Sequence, residues 1–217
     1  MKYKSLLFDL DGTLTDSSEG VINGCIYAME KMGHPIAPDF DMKKLIGPPF
    51  MWSFQKYFGL TAQEAEKAIL IYREFYNPIG IHQNKVYDGI EDLLKTLCEN
   101  GYDLLVATSK PKPQAEFVLN KFGLTKYLSY ISGCPLDEGN ITKADVIRMA
   151  FEYAKAKDKS EIVMIGDTHF DIDGANECDI DSIGVLYGMG GMEEFDKATY
   201  IVKDVEELKN FFIKTKD

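Results

Sequence analysis

The sequence predicts an α/β protein, a doubly wound parallel sheet with an α-helical unit inserted after its first strand. Three observations predict it. Short apolar runs end abruptly at polar clusters, as Leu6-Leu7-Phe8 does at Asp9-Leu10-Asp11-Gly12. From Tyr87 onward, helix-like and strand-like segments alternate, the pattern of a parallel sheet covered on both faces. Between about Ser17 and Lys85 the periodicity is helical, and no convincing strand interrupts it. The expected division is therefore an α/β core of residues 1–16 and 86–217, with a helical insertion over 17–85.

The run from Ser5 to Leu10 is too short and too β-compatible for a helix, so it reads as a buried strand. Asp16, Ser17 or Ser18 caps a first helix through about Met32, which Gly33 and Pro35 stop. Ile46-Gly47-Pro48-Pro49-Phe50 is a rigid break between helical pieces. Thr61 and Glu64 have the spacing of a capping box, and Ala65, Ala68, Ile69, Tyr72 and Tyr76 follow as a helical stripe up to Asn77-Pro78. Asp88 with Glu91 predicts a helix start, and Gly101 its end. Leu104 to Ala107 is a short buried strand ending at Thr108-Ser109-Lys110. Pro113 to Gly123 bounds a helix, and Tyr127 to Ser132 reads as a strand. Thr142 opens a helix to about Ala156, and Ile162 to Ile165 is a strand ending at Gly166-Asp167. Ser182–Leu186 and Tyr200–Val202 are two further strands. A last helix over Val205–Lys214 is capped by Asp204 and Glu207.

Composition narrows the function. Of the 217 residues, 45% are hydrophobic and 27% charged, and no apolar run reaches the ~20 residues of a bilayer span. Asp9 and Asp11 interrupt the N-terminal apolar segment, so it does not read as a signal peptide, and the expected location is the cytoplasm. A net charge of −11 argues against a nucleic-acid surface, which needs clustered cations. With Arg73 and Arg148 as the two arginines, bidentate anion clamps are scarce. Cys25, Cys98, Cys134 and Cys178 form no Cys-x-x-Cys pair and read as buried free thiols.

Three strand ends carry polar clusters: Asp9/Asp11, Thr108/Ser109 and Asp167. In doubly wound sheets, sites lie at the carboxyl ends of the strands. Residues two apart on an extended chain point the same way, so Asp9 and Asp11 are expected to reach one small volume. Paired carboxylates repel unless a cation joins them, and a hard cation such as Mg²⁺ suits oxygen ligands. The alternative is an N-cap Asp and a loop Asp with no metal.

Asp9-x-Asp11-Gly12-Thr13-Leu14-x-Asp16 resembles the first signature of the haloacid dehalogenase-like hydrolase superfamily. Later stretches match its other motifs in order: Thr108 after an apolar strand, Lys143 at a helix start, and Gly166-Asp167-Thr168-His169-Phe170-Asp171. The resemblance covers nearly the whole chain. It implies a Rossmann-like core with the insertion as a cap, and phosphate-ester hydrolysis through an aspartyl-phosphate. Asp9 would be the nucleophile and Asp11 the proton donor and acceptor. Thr108 and Lys143 would hold phosphoryl oxygens, with Ser109 a further binding residue. Mg²⁺ would be held by Asp9, the backbone carbonyl of Asp11, and Asp167, with Asp171 close by. Each residue also has a plainer reading: a solvated helix-start lysine for Lys143, a helix cap for Asp171, a strand-end hydroxyl for Thr108, and packing for His169.

Asp11 speaks against the dehalogenase branch, which lacks it, and against phosphonate-cleaving relatives, which replace it by a small residue. A phosphomutase shares all four motifs and stays open, as does a non-catalytic binding protein on the same fold. Gly47-Pro48-Pro49-Phe50 and Tyr72-Arg73-Glu74-Phe75-Tyr76 resemble the phosphoglycolate phosphatase-like group and its 5′-nucleotidase neighbours. Gly47 would present backbone groups to substrate or belong to a plain inter-helix turn, and Arg73 would pair with a second anionic group or be a surface helix arginine beside Glu74. Lys143 is followed by Ala144, where many phosphoglycolate phosphatases have proline. The expected substrate is a small phosphorylated metabolite, with neither nucleic acid nor membrane as partner, and the protein a monomer or homodimer.

Overall fold

A computed structural model of the chain describes residues 2–135 and 141–213. The chain divides into two compact units, Met1–Thr15 with Val86–Asp217, and Asp16–Lys85.

The first unit is built on a six-stranded parallel sheet. Its strands are β1 (Ser5–Phe8), β4 (Asp103–Pro111), β5 (Tyr130–Cys134), β6 (Ile162–Gly166), β7 (Asp181–Val185) and β8 (Tyr200–Val202), in the order β5-β4-β1-β6-β7-β8. Two short strands, β2 (Thr15–Asp16) and β3 (Lys85–Val86), pair where the chain leaves this unit and returns to it. β1 lies in the middle, with Phe8 level with Val106 of β4 on one side and Ile165 of β6 on the other. This register brings the carboxyl ends of three strands side by side, at the point where the strand order reverses.

Alternate residues of the central strands face opposite ways. Leu7, Leu105, Ala107 and Met164 pack with Ala144, Ile147 and Ala150 of helix α6 (Lys143–Phe151) and Ala175 of α7 (His169–Glu177). Asp9 shares the parity of Leu7, and Lys143 is the first residue of α6. The Asp9 strand end and the Lys143 helix start thus lie on one face. Helices α4 (Ile90–Glu99), α5 (Lys112–Lys121) and α8 (Val205–Ile213) complete the unit. The last residue of the expected final helix, Lys214, lies outside the described residues.

The second unit holds α1 (Ser18–Lys31), α2 (Phe50–Phe58) and α3 (Ala62–Tyr76). α3 starts as the sequence predicts: the Glu64 amide donates to Thr61 Oγ1 at 3.3 Å, and the Thr61 amide donates back to Glu64 at 2.8 Å. Ala65, Ala68, Tyr72 and Tyr76 are its buried stripe, with Ile69 partly buried.

Four element boundaries differ from expectation. β5 starts at Tyr130 rather than Tyr127, because Thr125–Tyr127 close a 3₁₀ turn in which the Leu128 amide donates to Thr125. α6 ends at Phe151 rather than near Ala156. The amides of Lys155 and Ala156, which would have continued it, donate instead to the Asp103 carboxylate and Ser5 Oγ at 2.8 and 3.0 Å. α4 is capped by Gly89 in the left-handed region, not by Asp88, and Glu91 turns away to Lys126 at 2.8 Å. β4 runs on through Pro111, with a bulge after Thr108. The thiols of Cys25 and Cys178 are buried as expected, whereas Cys98 and Cys134 are only partly so, and all four are free.

Candidate active site

Asp9 follows directly on β1, its amide still donating to Ile165 of β6 at 2.9 Å. The chain then bends at Leu10, and the amides of Leu14 and Thr15 both donate to the Leu10 carbonyl. The bend separates the two acids. They do not share one direction, as an extended strand would require, and each has its own lysine.

Lys143 Nζ lies 2.7 Å from Asp9 Oδ1 and 2.7 Å from Asp171 Oδ1, all three side chains being buried. The one ammonium is thus shared between two buried carboxylates. Asp171 has a second task. Its Oδ2 accepts the amide and hydroxyl of Thr168 at 3.0 and 3.1 Å, which closes the first turn of α7. Helix capping and lysine binding are thus combined in one side chain, one oxygen for each.

Asp167, at the end of β6, is fully buried. Its oxygens accept from Thr13 Oγ1 at 3.2 Å and from the Met189 amide at 2.9 Å. Gly12 allows this approach. Its φ is +92°, and a Cβ there would fall 2.0 Å from an Asp167 oxygen, so no larger residue fits.

Asp9, Asp167 and Asp171 each place a carboxylate oxygen within 4.8 Å of the other two. One lysine does not neutralise three buried carboxylates. Burial, only partly countered by Lys143, pushes Asp9 up to about 6, and burial with Asp171 and Asp9 beside it raises Asp167 well above the ordinary range. Burial lowers the Lys143 value, but Asp171 and Asp9 outweigh it and hold the ammonium above its usual range. An all-oxygen cluster of three buried carboxylates with one ammonium among them fits a hard dication such as Mg²⁺.

Thr108 is buried within β4, not at its end as the sequence predicts, with Ser109 partly buried after it. Thr108 Oγ1 accepts the Lys110 amide at 3.2 Å. The Asp11 carboxylate is not part of the acidic trio. It is held by Lys110 Nζ at 2.8 and 3.1 Å, a contact that sequence reasoning missed. The sequence carries no clear signal for it, because the register of β4 shifts between Thr108 and Pro111. Thr13 and the Met189 amide, which hold Asp167, were missed as well. His169 is the first residue of α7, with its Nδ1 3.0 Å from Glu194. Gly47 and Arg73 belong to the second unit. Gly47 has φ +95°, and Arg73 is on α3, where its neighbour Glu74 pairs with Lys31 at 3.3 Å.

The family model described as haloacid dehalogenase-like hydrolase matches residues 6–185, a span that includes every acid and lysine of this site. The chain belongs to this family. It is 33% identical to a 5′-nucleotidase of Pseudomonas aeruginosa over 211 residues, covering 96% of this chain and 95% of that protein. It is 36% identical to the tyrosine-protein kinase PtkA of Mycobacterium tuberculosis over 198 residues, 91% of this chain and 67% of that one. A solved structure described as a predicted phosphatase from Clostridium acetobutylicum superposes with a TM-score of 0.93 at 41% identity, covering 99% of this chain and 100% of that one. The haloacid dehalogenase-like chain is thus an α/β enzyme of the phosphatase type, with the fold and catalytic class that its sequence predicts. No helix among the described residues is long and apolar enough to cross a membrane.

Proposed function

We propose that this protein is a Mg²⁺-dependent phosphomonoesterase that forms an aspartyl-phosphate on Asp9 and acts on a small phosphorylated metabolite. The observation that carries the reading is the ion pair of buried Asp9 with Lys143 beside Asp167 and Asp171. Lys143 orients the Asp9 carboxylate before attack and is placed to follow the charge onto the phosphoryl oxygens. Thr108, with Ser109 beside it, supplies hydroxyl donors from the neighbouring strand. Asp9 attacks phosphorus, the ester P–O bond breaks, and Asp11 gives its proton to the departing oxygen. Asp11 then takes a proton from the water that hydrolyses the aspartyl-phosphate. Asp9, Asp167 and Asp171, with the Asp11 backbone carbonyl, would hold Mg²⁺. When bound, the ion neutralises the clustered acids and draws phosphoryl charge to itself.

Substrate class is argued from the relatives. The similarity to a 5′-nucleotidase favours a nucleoside monophosphate, and phosphoglycolate is the alternative from the sequence resemblance. Gly47 and Arg73 are proposed as substrate contacts from the second unit. The kinase among the relatives raises a different fate for the phosphoryl group, transfer to a hydroxyl acceptor, as does the phosphomutase alternative. A panel of phosphate esters, assayed with Mg²⁺ for free phosphate, separates these fates. Release matching ester consumption supports a phosphatase, whereas isomerised ester or phosphorylated acceptor with little free phosphate contradicts it.

The acidic cluster also links metal, pH and stability. Asp9 has a folded value of about 6 against 3.8 for an ordinary aspartate, so between these values the folded form binds more protons. In chelator, its contribution to stability therefore falls as pH rises from about 4 to about 6, and the full cost of its ionisation stands above that window. The gap corresponds to on the order of 3 kcal/mol. Mg²⁺ is expected to raise the melting temperature more at about pH 8 than at about pH 5, because it binds the ionised cluster. Thermal melts with and without chelator check this, and an equal or larger effect at acid pH contradicts it.

A further inference from the structure

Lys110 has no assigned role in the reaction just described, yet its side chain is as buried as that of Lys143, at 5% exposed, and it ends on Asp11. A buried lysine costs desolvation and side-chain entropy, which a partner in good geometry offsets. Here the ammonium contacts both Asp11 oxygens, at 2.8 and 3.1 Å, and so fixes the plane and direction of that carboxylate. The approach depends on the irregularity of β4, whose register with β5 shifts between Thr108 and Pro111. Bulges re-aim side chains in this way. The same segment ties the Lys110 amide to Thr108 Oγ1. One three-residue stretch therefore sets both a hydroxyl offered to the phosphoryl group and the orientation of the proton-transfer acid.

We propose that Lys110 is the positioning residue of Asp11: it holds the Asp11 carboxylate where a proton passes to the leaving oxygen and, in the second half-reaction, comes from water. The inference rests on the reading of Asp11 as the proton-transfer group. Lys110 itself touches neither phosphorus nor the leaving group. The bond changes stay those of the parent reaction: the ester P–O bond breaks as the Asp9 oxygen bonds to phosphorus, and the Asp11 proton goes to the alkoxide.

The test compares kcat/KM for an alkyl phosphate, whose leaving oxygen needs a proton, with that for 4-nitrophenyl phosphate, whose leaving phenolate needs little help. Lys110→Met is expected to lower kcat/KM for the alkyl ester by about 10²-fold, the low end of general acid catalysis, and for the aryl ester by several-fold less. Lys110→Arg, which keeps a cation able to grip both oxygens, is expected to recover most of the alkyl-ester rate. With the aryl ester, Lys110→Met should also show a burst of nitrophenol, as hydrolysis of the phosphoenzyme slows. Equal losses on both esters, with weaker inhibition by inorganic phosphate, would make Lys110 a phosphoryl-binding residue and overturn the proposal. So would an unchanged ester ratio.

If Lys110→Met does not fold, the comparison moves to Asp11→Asn with and without Lys110→Met, where the charged pair is removed together. Equal rates for these two support action through Asp11, and a further loss in the double variant overturns it. Asp11→Asn alone keeps the two failures apart. Without a leaving-group-dependent loss in that variant, the reading of Asp11 falls and this inference with it. With that loss present but absent from Lys110→Met, this inference alone falls.

Discussion

Asp9→Asn is expected to lower hydrolysis of every active phosphate ester by at least about 10³-fold while the chain still folds, because an amide is neither a nucleophile nor an anionic metal ligand. The structure explains why folding survives. Asp9 sits at a strand end beside Asp171 and Asp167, and its ionisation is opposed by burial and by Asp171, with Lys143 in partial compensation. Removing one of the three charges relieves repulsion, and Lys143 keeps Asp171 as partner at 2.7 Å. In chelator at about pH 8 the variant should be at least as stable as the parent, since a catalytic cluster is a place where stability is given up for function. Steady-state kinetics and urea unfolding of the same preparation check both halves. A folded variant with undiminished turnover would remove Asp9 from the chemistry.

Lys143→Met is expected to have the opposite profile in stability and a similar one in rate. Its ammonium is the cation shared by Asp9 and Asp171, and its loss leaves two buried carboxylates facing each other. Removing one partner of a buried ion pair costs about 3–5 kcal/mol. Turnover should fall by about 10²-fold or more, since a donor aimed at developing charge is lost. Mg²⁺ should restore part of the stability, because it also neutralises the trio, but not the turnover. The double variant Asp9→Asn/Lys143→Met should be less destabilised than Lys143→Met alone, because the lysine and one of its acids leave together. Urea unfolding in chelator decides this, and a Lys143→Met protein as stable as the parent would contradict the electrostatic account of the cluster.

The sheet and most helices were legible because their signals are local. Thr61 and Glu64 define a helix start within four residues, and Leu6-Leu7-Phe8 ends at acids in a way that marks a strand end without any partner in view. The early end of α6 was not legible. Ala154 to Ala156 carry no helix breaker, and what stops them is a buried pair of acceptors, Asp103 and Ser5, about 50 and 150 residues away in sequence. The site divides in the same way. Asp9, Lys143, Asp167 and Asp171 stand at or near element ends, so their convergence follows from the parallel topology. The direction of Asp11 and the arrival of Lys110 depend on a bend at Leu10 and a bulge after Thr108, and neither has a distinctive local residue pattern. Reading residues 9 to 11 as one extended strand therefore aimed the two carboxylates together, whereas the chain gives each its own lysine.

The central claim is that the phosphoryl group passes through Asp9. Acid quenching during turnover of an active ester with Mg²⁺, followed by mass spectrometry of the peptide containing residues 5–16, tests it most directly. The account predicts a transient phosphate on Asp9 that is sensitive to hydroxylamine, absent from Asp9→Asn, and longer-lived in Asp11→Asn, where water is not activated. Phosphate trapped on another residue, or full turnover in Asp9→Asn, would contradict it.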